Sequence, residues 1–356
     1  MKDMLKDYYR SLNVDEKVFE YCNSVEEKLK DRFAAIDAVS EINQLKVLKA
    51  MQDNRLSEAH FAGSSGYGYT DDGRDALERI YADVFHTEDA LVRTQIVCGT
   101  HALCTAMFGN LRPGDEILAI AGKPYDTLDE IIGIRESRGS LAEYGVTYAQ
   151  VDLLPNGNFD IDGIKNAINS RTRLVEIQRS KGYAVRKTLS VQQIGEAIKA
   201  VKSVNPDIIC MVDNCYGEFV QDIEPSDVGA DLVVGSLIKN PGGGLAPIGG
   251  YICGKKEYVR MLHTDSRLRD SARRLEPHLA IQRLSLRDFS WHLQLLQVRL
   301  RVRYLQQMYT RDWALRLFLT AQRTDTILFR LLSFRLLRGS WHSVKESRLQ
   351  RRLTVM

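Results

Sequence analysis

The sequence predicts an α/β protein in which a mostly parallel sheet carries helices on both faces. Three observations carry this. Between about residues 91 and 253, segments of strand type alternate with segments of helix type, which is how helical crossovers join the strands of a parallel sheet. The strand segments at 207–212 and 230–234 are nearly continuous apolar runs, as strands covered on both faces should be. Chain breakers follow such runs at Gly99 and at Gly242-Gly243-Gly244, and the loops at the carboxyl ends of such strands are where ligands bind.

Taken in chain order, residues 1–56 read as a helical N-terminal arm. Val18, Tyr21, Cys22, Val25 and Leu29 recur every three to four residues, as do Ile42, Leu45, Val47, Leu48 and Met51. A Gly/Ser/Tyr stretch covers 60–70, and Asp71-Asp72-Gly73-Arg74 opens a helix running through Tyr81. Strands are then expected over about 91–97, 115–120, 172–178, 207–213, 231–235 and 248–253, with helices over 100–110, 125–134 and 191–203. Residues 57–256 thus form a large α/β domain, and 257–356 stand apart.

A chain of 356 residues can bury a large core. No apolar stretch is long enough to span a bilayer, and the start, Met1-Lys2-Asp3-Met4-Leu5-Lys6-Asp7, is charged, so a cytoplasmic protein without a membrane partner is expected. Six cysteines (Cys22, Cys98, Cys104, Cys210, Cys215, Cys253) contain no pair two residues apart, which implies neither a zinc site nor a disulfide framework.

Charge divides the chain. Residues 1–256 hold 29 Lys+Arg against 38 Asp+Glu, a charge of −9, whereas 257–356 hold 20 against 8, a charge of +12. The latter segment has 19 Arg but one Lys, one Gly (Gly339) and one Pro (Pro277), and all three tryptophans, Trp291, Trp313 and Trp341. A nucleic-acid-binding arm would concentrate such charge, but here it is spread through apolar sequence without a recognised motif, so no nucleic-acid partner is expected. A lost reading frame accounts for it better. If one base is missing near Met261, each intended codon joins the third base of one present codon to the first two of the next. From Leu262 to Ile281 that rule permits AAYRLTAPGLGKEAGASLGY, and from Trp291 to Phe318 it permits APTV, a few further residues, and then GALKGAIFAANVYERLGF. These strings have the glycines and the helical period that the written segment lacks.

Chemistry gathers around Lys239. The strand at 231–235 delivers it, within Gly235-Ser236-Leu237-Ile238-Lys239-Asn240-Pro241-Gly242-Gly243-Gly244, onto a glycine-rich loop. The strand at 207–213 ends in Asp213-Asn214-Cys215-Tyr216, and Asp213 precedes the lysine by 26 residues. Amine and acid together suit pyridoxal 5'-phosphate: Lys239 holds the aldehyde as a Schiff base, and Asp213 keeps the pyridine nitrogen protonated so that the ring withdraws electrons. Singly, each has an ordinary reading, Lys239 as a solvated loop residue and Asp213 as a turn or cap. A third element supports the joint one. In Val97-Cys98-Gly99-Thr100-His101-Ala102 a strand breaks at Gly99 and a small-residue helix begins at once, offering unpaired N–H groups and about half a positive charge to a phosphate. Gly99 and Thr100 are the expected ligands through backbone N–H, with His101 either a neighbour of the phosphate or a satisfied residue of the first turn. Ser236 would add a hydroxyl. Tyr216 either hydrogen-bonds the ring hydroxyl or simply packs.

Cys98-Gly99-Thr100-His101-Ala102 and Gly235-Ser236-Leu237-Ile238-Lys239-Asn240-Pro241-Gly242-Gly243 resemble the methionine gamma-lyase-like, or aluminum resistance protein, family of fold-type I pyridoxal-phosphate enzymes of cysteine and methionine metabolism. The resemblance runs from the N-terminus to about Val259. It implies a homodimer or homotetramer acting on a small amino acid. Tyr125, in Gly122-Lys123-Pro124-Tyr125-Asp126-Thr127, resembles the tyrosine that stacks on the ring, with surface packing as its other reading. Tyr67, Tyr69 and Arg74 resemble the Tyr and Arg that relatives insert from the adjoining subunit onto the phosphate, where the planar fork of Arg suits the task; a flexible loop is the alternative. Gln178-Arg179-Ser180-Lys181-Gly182-Tyr183 either lines the substrate side or forms a solvated turn. In relatives the arginine that grips the substrate carboxylate belongs to the C-terminal small domain, and none is assigned here.

The expected reaction is removal of a thiol from a sulfur amino acid by beta or gamma elimination, of methionine gamma-lyase or cystathionine beta-lyase type. Residues near the cofactor do not separate this from transamination or another pyridoxal-phosphate lyase reaction. Outside the enzymes, the alternative is a damaged gene product that binds cofactor without turnover.

Overall fold

The computed structural model describes residues 2–62, 71–242, 246–264 and 301, and the chain divides into two units, Met1–Ala38 with Gln294–Met356, and Val39–Leu293. In the first unit α1 (Lys2–Ser11) and α2 (Glu16–Lys28) meet through Tyr9 and Phe19, whose ring centroids lie 5.2 Å apart. Asp15 caps α2 by accepting from Lys17 N–H at 2.8 Å, satisfying one of the helix's orphan donors. α3 (Lys30–Asp53) follows.

Within the second unit, α3 buries Ser40, Asn43, Val47 and Ala50. The apolar series Ile42, Leu45 and Leu48 stays exposed instead. Asn43 explains the choice: its amide donates to Phe219 O at 3.3 Å and Gln221 O at 3.0 Å, and a buried amide left unpaired would cost more than an exposed leucine. α4 (Asp72–Val84) starts where Asp71 accepts from Arg74 N–H at 2.9 Å and buries Leu77, Ile80, Tyr81 and Val84.

Seven strands form one sheet: β1 (Asp89–Arg93), β2 (Glu116–Ala119), β3 (Thr147–Gln150), β4 (Thr172–Gln178), β5 (Ile209–Asp213), β6 (Leu232–Ser236) and β7 (Gly250–Gly254). Their spatial order is β1-β7-β6-β5-β4-β2-β3, with β7 antiparallel to both neighbours and the remaining pairs parallel. The mostly parallel sheet is therefore as the sequence predicts. Side chains alternate across it. On one face Leu174, Met211, Val234 and Ile252 pack with Ala102, Leu103, Ala106 and Met107 of α5 (Gly99–Asn110) and Val259 and Leu262 of α9 (Lys256–Thr264). On the other, Leu118, Val175, Ile177, Cys210 and Val212 pack with Ile194, Ala197, Ile198 and Val201 of α8 (Val191–Val204) and Ile164 of α7 (Ile161–Ala167). Each fully buried aliphatic side chain contributes about 1.5–3 kcal/mol of transfer free energy.

Three segments differ from expectation for identifiable reasons. The helix expected over 125–134 is a 3-10 turn, Asp126–Leu128, and one helical turn, α6 (Asp129–Ile132), stopped by Gly133 in the left-handed conformation (φ 96°). β3 has no counterpart among the expected strands, because its residues are only half-buried or exposed and its polar composition hides a strand. β1 starts and ends earlier than the apolar run suggests. The segment 257–356, for which a lost reading frame is expected, lies outside the described residues apart from 257–264 and Arg301.

Candidate active site

Ser236, the last residue of β6, is fully buried. Its Oγ accepts from Ile238 N–H at 3.3 Å while its carbonyl accepts from Lys239 N–H, also at 3.3 Å. This tight turn sends the half-buried Lys239 side chain back over the sheet end, with Nζ 4.4 Å from the ring centroid of Tyr216, a cation–π contact. Burial disfavours the charge on Lys239, but Cys215, Tyr216, Asp213 and Glu218 around it more than offset that and raise its pKa above the ordinary value.

Asp213 ends β5 on the same face. It is 5% exposed and accepts from Cys215 N–H at 3.0 Å. Burial pushes its carboxyl up, against the hydrogen bonds from Cys215 and the charge of Lys239. The loop beyond it is held on both sides. Asn214 N–H donates to Val234 O at 2.9 Å, and Lys46 of α3 donates to Asp222 O at 2.8 Å. Tyr216 itself takes a left-handed backbone (φ 68°) and is 56% exposed. A non-glycine residue in that region is strained and requires its surroundings to hold it.

α5 brings its N-terminus to the same place. A Cβ on Gly99 would lie 3.0 Å from Cys215 Sγ and 3.2 Å from Ser236 Cβ, so only glycine lets the helix approach the ends of β5 and β6 this closely. No side chain of Cys98 caps the helix, which leaves its first N–H groups facing outward for an anion. Thr100 Oγ1 lies 2.8 Å from Thr127 Oγ1, fixing α5 against the turn that carries Tyr125. His101 is exposed, and its Nδ1 accepts from Val97 N–H at 3.3 Å.

Tyr125 stacks on Tyr183, ring centroids 5.6 Å apart, with the two hydroxyls at 3.1 Å. That hydrogen bond and burial push its phenol up to about 12, so it is a proton donor at neutral pH. Arg74 is 1% exposed, with Nε on Asp75 at 3.0 Å. Tyr67 and Tyr69 lie outside the described residues.

Of the surrounding residues, Glu176 carries no expectation from the sequence, whereas Gln178 and Arg179 belong to the segment expected at the functional edge. Arg179 lies buried, with Nη1 on Asn214 Oδ1 at 2.7 Å and 3.6 Å from Glu224. Asn214 also donates to Glu224 Oε2 at 2.9 Å. This network braces the loop after β5. Glu176 and Gln178 share the face of Asp213, since Gln178 is its Cα partner across the β4–β5 ladder. The signal was present: polar residues at every second position of an otherwise apolar strand.

This set fits pyridoxal phosphate. An amine and a buried acid stand at adjacent strand ends, and a glycine-floored helix start with a serine beside it can receive a phosphate. Comparison with known proteins agrees. A family profile described as methionine gamma-lyase matches residues 18–269. The uncharacterized protein YnbB of Bacillus subtilis (strain 168) is 54% identical over 226 residues, 63% of this chain and 54% of its own length. The chain spans about half the length of the curated relatives it matches. Among solved structures, a carbon-sulfur lyase involved in aluminum resistance from Clostridium novyi NT superposes with a TM-score of 0.77 at 42% identity, covering 82% of this chain and 70% of that one. A Listeria monocytogenes protein named for a cystathionine beta-lyase role in aluminum resistance superposes with a TM-score of 0.76 at 47% identity, covering 78% and 68%. The chain belongs to the methionine gamma-lyase family, whose cofactor is pyridoxal phosphate.

Proposed function

We propose that this chain carries the cofactor domain of a pyridoxal-phosphate-dependent carbon–sulfur lyase, within residues 57–256, acting on a sulfur amino acid by beta or gamma elimination. The observation that carries the reading is the convergence of Lys239, Asp213, Ser236 and Gly99 on the carboxyl ends of β5 and β6; similarity to the Clostridium novyi carbon-sulfur lyase supports the reaction class. Lys239 is assigned as the anchoring amine and, once released, as the base that takes the substrate's α proton. Asp213 holds the proton on the ring nitrogen. The N–H groups of Gly99 and Thr100, with Ser236 and neighbouring His101, receive the phosphate. Tyr125 is assigned to stack on the ring, presenting a protonated phenol, and Tyr216 to hydrogen-bond the ring hydroxyl. Bound there, the cofactor supplies an electron-withdrawing ring that stabilises negative charge at the α carbon. For elimination at the beta carbon, loss of the α proton to Lys239 would suffice to expel the thiolate, whereas elimination at the gamma carbon would require a second proton to be taken from the beta carbon before the carbon–sulfur bond breaks.

Tyr67, Tyr69 and Arg74 are assigned to the phosphate of an adjoining subunit in a cytoplasmic homodimer or homotetramer, a role that requires the buried Arg74 to turn out of its pair with Asp75. The exposed Ile42, Leu45 and Leu48 of α3 support association. The experiment is to supply sulfur amino acids and measure release of pyruvate or 2-oxobutyrate. Amine transfer that depends on an added keto acid, without such release, would assign an aminotransferase instead. A second reading, a cofactor-binding chain without turnover, is favoured by the composition of 257–356. The nucleotide sequence around Met261 decides it: an intact frame there removes that reading.

A further inference from the structure

Among the described residues Glu176 has no hydrogen-bond partner to explain its place: it lies within β4, 0% exposed, and neither carboxyl oxygen is paired there. A buried polar group left so is costly and calls for a functional reason. Register supplies one. Gln178 is the Cα partner of Asp213, so Glu176, two residues earlier on the same strand, shares Asp213's face and is its diagonal neighbour. The titratable groups around it are Asp213 on β5, Arg186 in the loop after β4, and Tyr148 on β3, itself beside Asp129 and Asp152. Arg186 is engaged elsewhere, its guanidinium donating to Gln178 O at 3.0 Å and Ser180 O at 2.6 Å. Two carboxyls that share a dry site do not both ionise readily.

Resting on the cofactor reading of the site, we propose that Glu176 is a positioning residue for Asp213: it stays in its acid form behind Asp213 and leaves Asp213 as the carboxylate that faces the cofactor's ring nitrogen. Burial, and then the charge of Asp213, push the Glu176 carboxyl up to about 8, with Arg186 opposing. At neutral pH Glu176 therefore adds no charge. Above about pH 8 its proton goes to solvent, and the new negative charge favours protons on the cofactor and on Asp213.

The test uses the full chain loaded with pyridoxal phosphate and follows the visible band across about pH 6 to 10. In Glu176→Gln the developing charge is absent, so the midpoint of the spectral titration should fall by about one pH unit relative to the parent. Glu176→Met, of similar length and without a polar group, should give the same shift and serves if the Gln variant does not accumulate. An unchanged or raised midpoint in both variants overturns the proposal, as does a parent band that does not titrate. A variant that is merely less stable would not move the midpoint. If the parent shows no visible band at all, the cofactor reading itself fails and this proposal with it; a band with unmoved midpoints rejects the role of Glu176 alone.

Discussion

Along β4 and β5 the two faces of the sheet diverge toward the strand carboxyl ends. On the α8 side the alternation stays apolar to the end, through Val175, Ile177, Cys210 and Val212. On the α5 side it begins the same way, with Leu174, Ile209 and Met211, and then turns polar at Glu176, Gln178 and Asp213, while β6 ends in Ser236. From Leu174 to Gln178 and from Ile209 to Asp213 both faces are buried. One face therefore spends its burial on packing and the other on shifting charge: carboxyls at Asp213 and Glu176 are pushed upward there. The proposed chemistry thus falls on the face where the sheet gives up stability, as active sites commonly do.

The contrast can be broken by substitution. Asp213→Asn removes the charge opposite the ring while keeping shape, and should lower turnover on the order of 100-fold or more with cofactor still bound; keto-acid release against bound-cofactor absorbance reads both, and undiminished turnover would remove Asp213 from its role. On the opposite face, Ile177→Ala should lower stability by about 3 kcal/mol in denaturant titration and leave the visible band in place, since Ile177 points away from the site. A changed band with unchanged stability would show that the faces are not separate.

Glu176→Gln tests the middle ground through pH. Its folded pKa of about 8 lies above the ordinary 4.5, so the folded chain holds a proton that the unfolded chain has released. Stability is thus lost as pH rises from about 4.5 to about 8 and is flat beyond. The variant lacks that slope. For the cofactor-free protein, the stability difference should move in the variant's favour by about 3 kcal/mol between pH 5 and pH 8, measured by denaturant midpoints. Parallel pH profiles would mean that Glu176 is ionised or solvated in the folded protein.

Much of this was legible in the chain because position along a strand is encoded by period-two alternation. Lys239 and Asp213 announce themselves as charged residues just past apolar runs, and Gly99 as a break followed by small residues. Glu176 was overlooked because a single polar residue inside a buried strand reads as noise until register shows which face it shares. Arg179 was misplaced for the opposite reason: sequence puts it at the functional edge, whereas its guanidinium turns inward to Asn214 and Glu224, a destination set by residues more than thirty positions away. The left-handed backbone of Tyr216 has no sequence signal, since it lacks the glycine that usually marks such a turn.

Covalent attachment of the cofactor at one amine, Lys239, is what every assigned role depends on. Incubation of the full chain with pyridoxal phosphate, borohydride reduction and peptide mapping should place the reduced adduct on Lys239, and Lys239→Ala should lose both the adduct and the visible band. An adduct on a different lysine in the parent, or a reducible band that survives in Lys239→Ala, would contradict it.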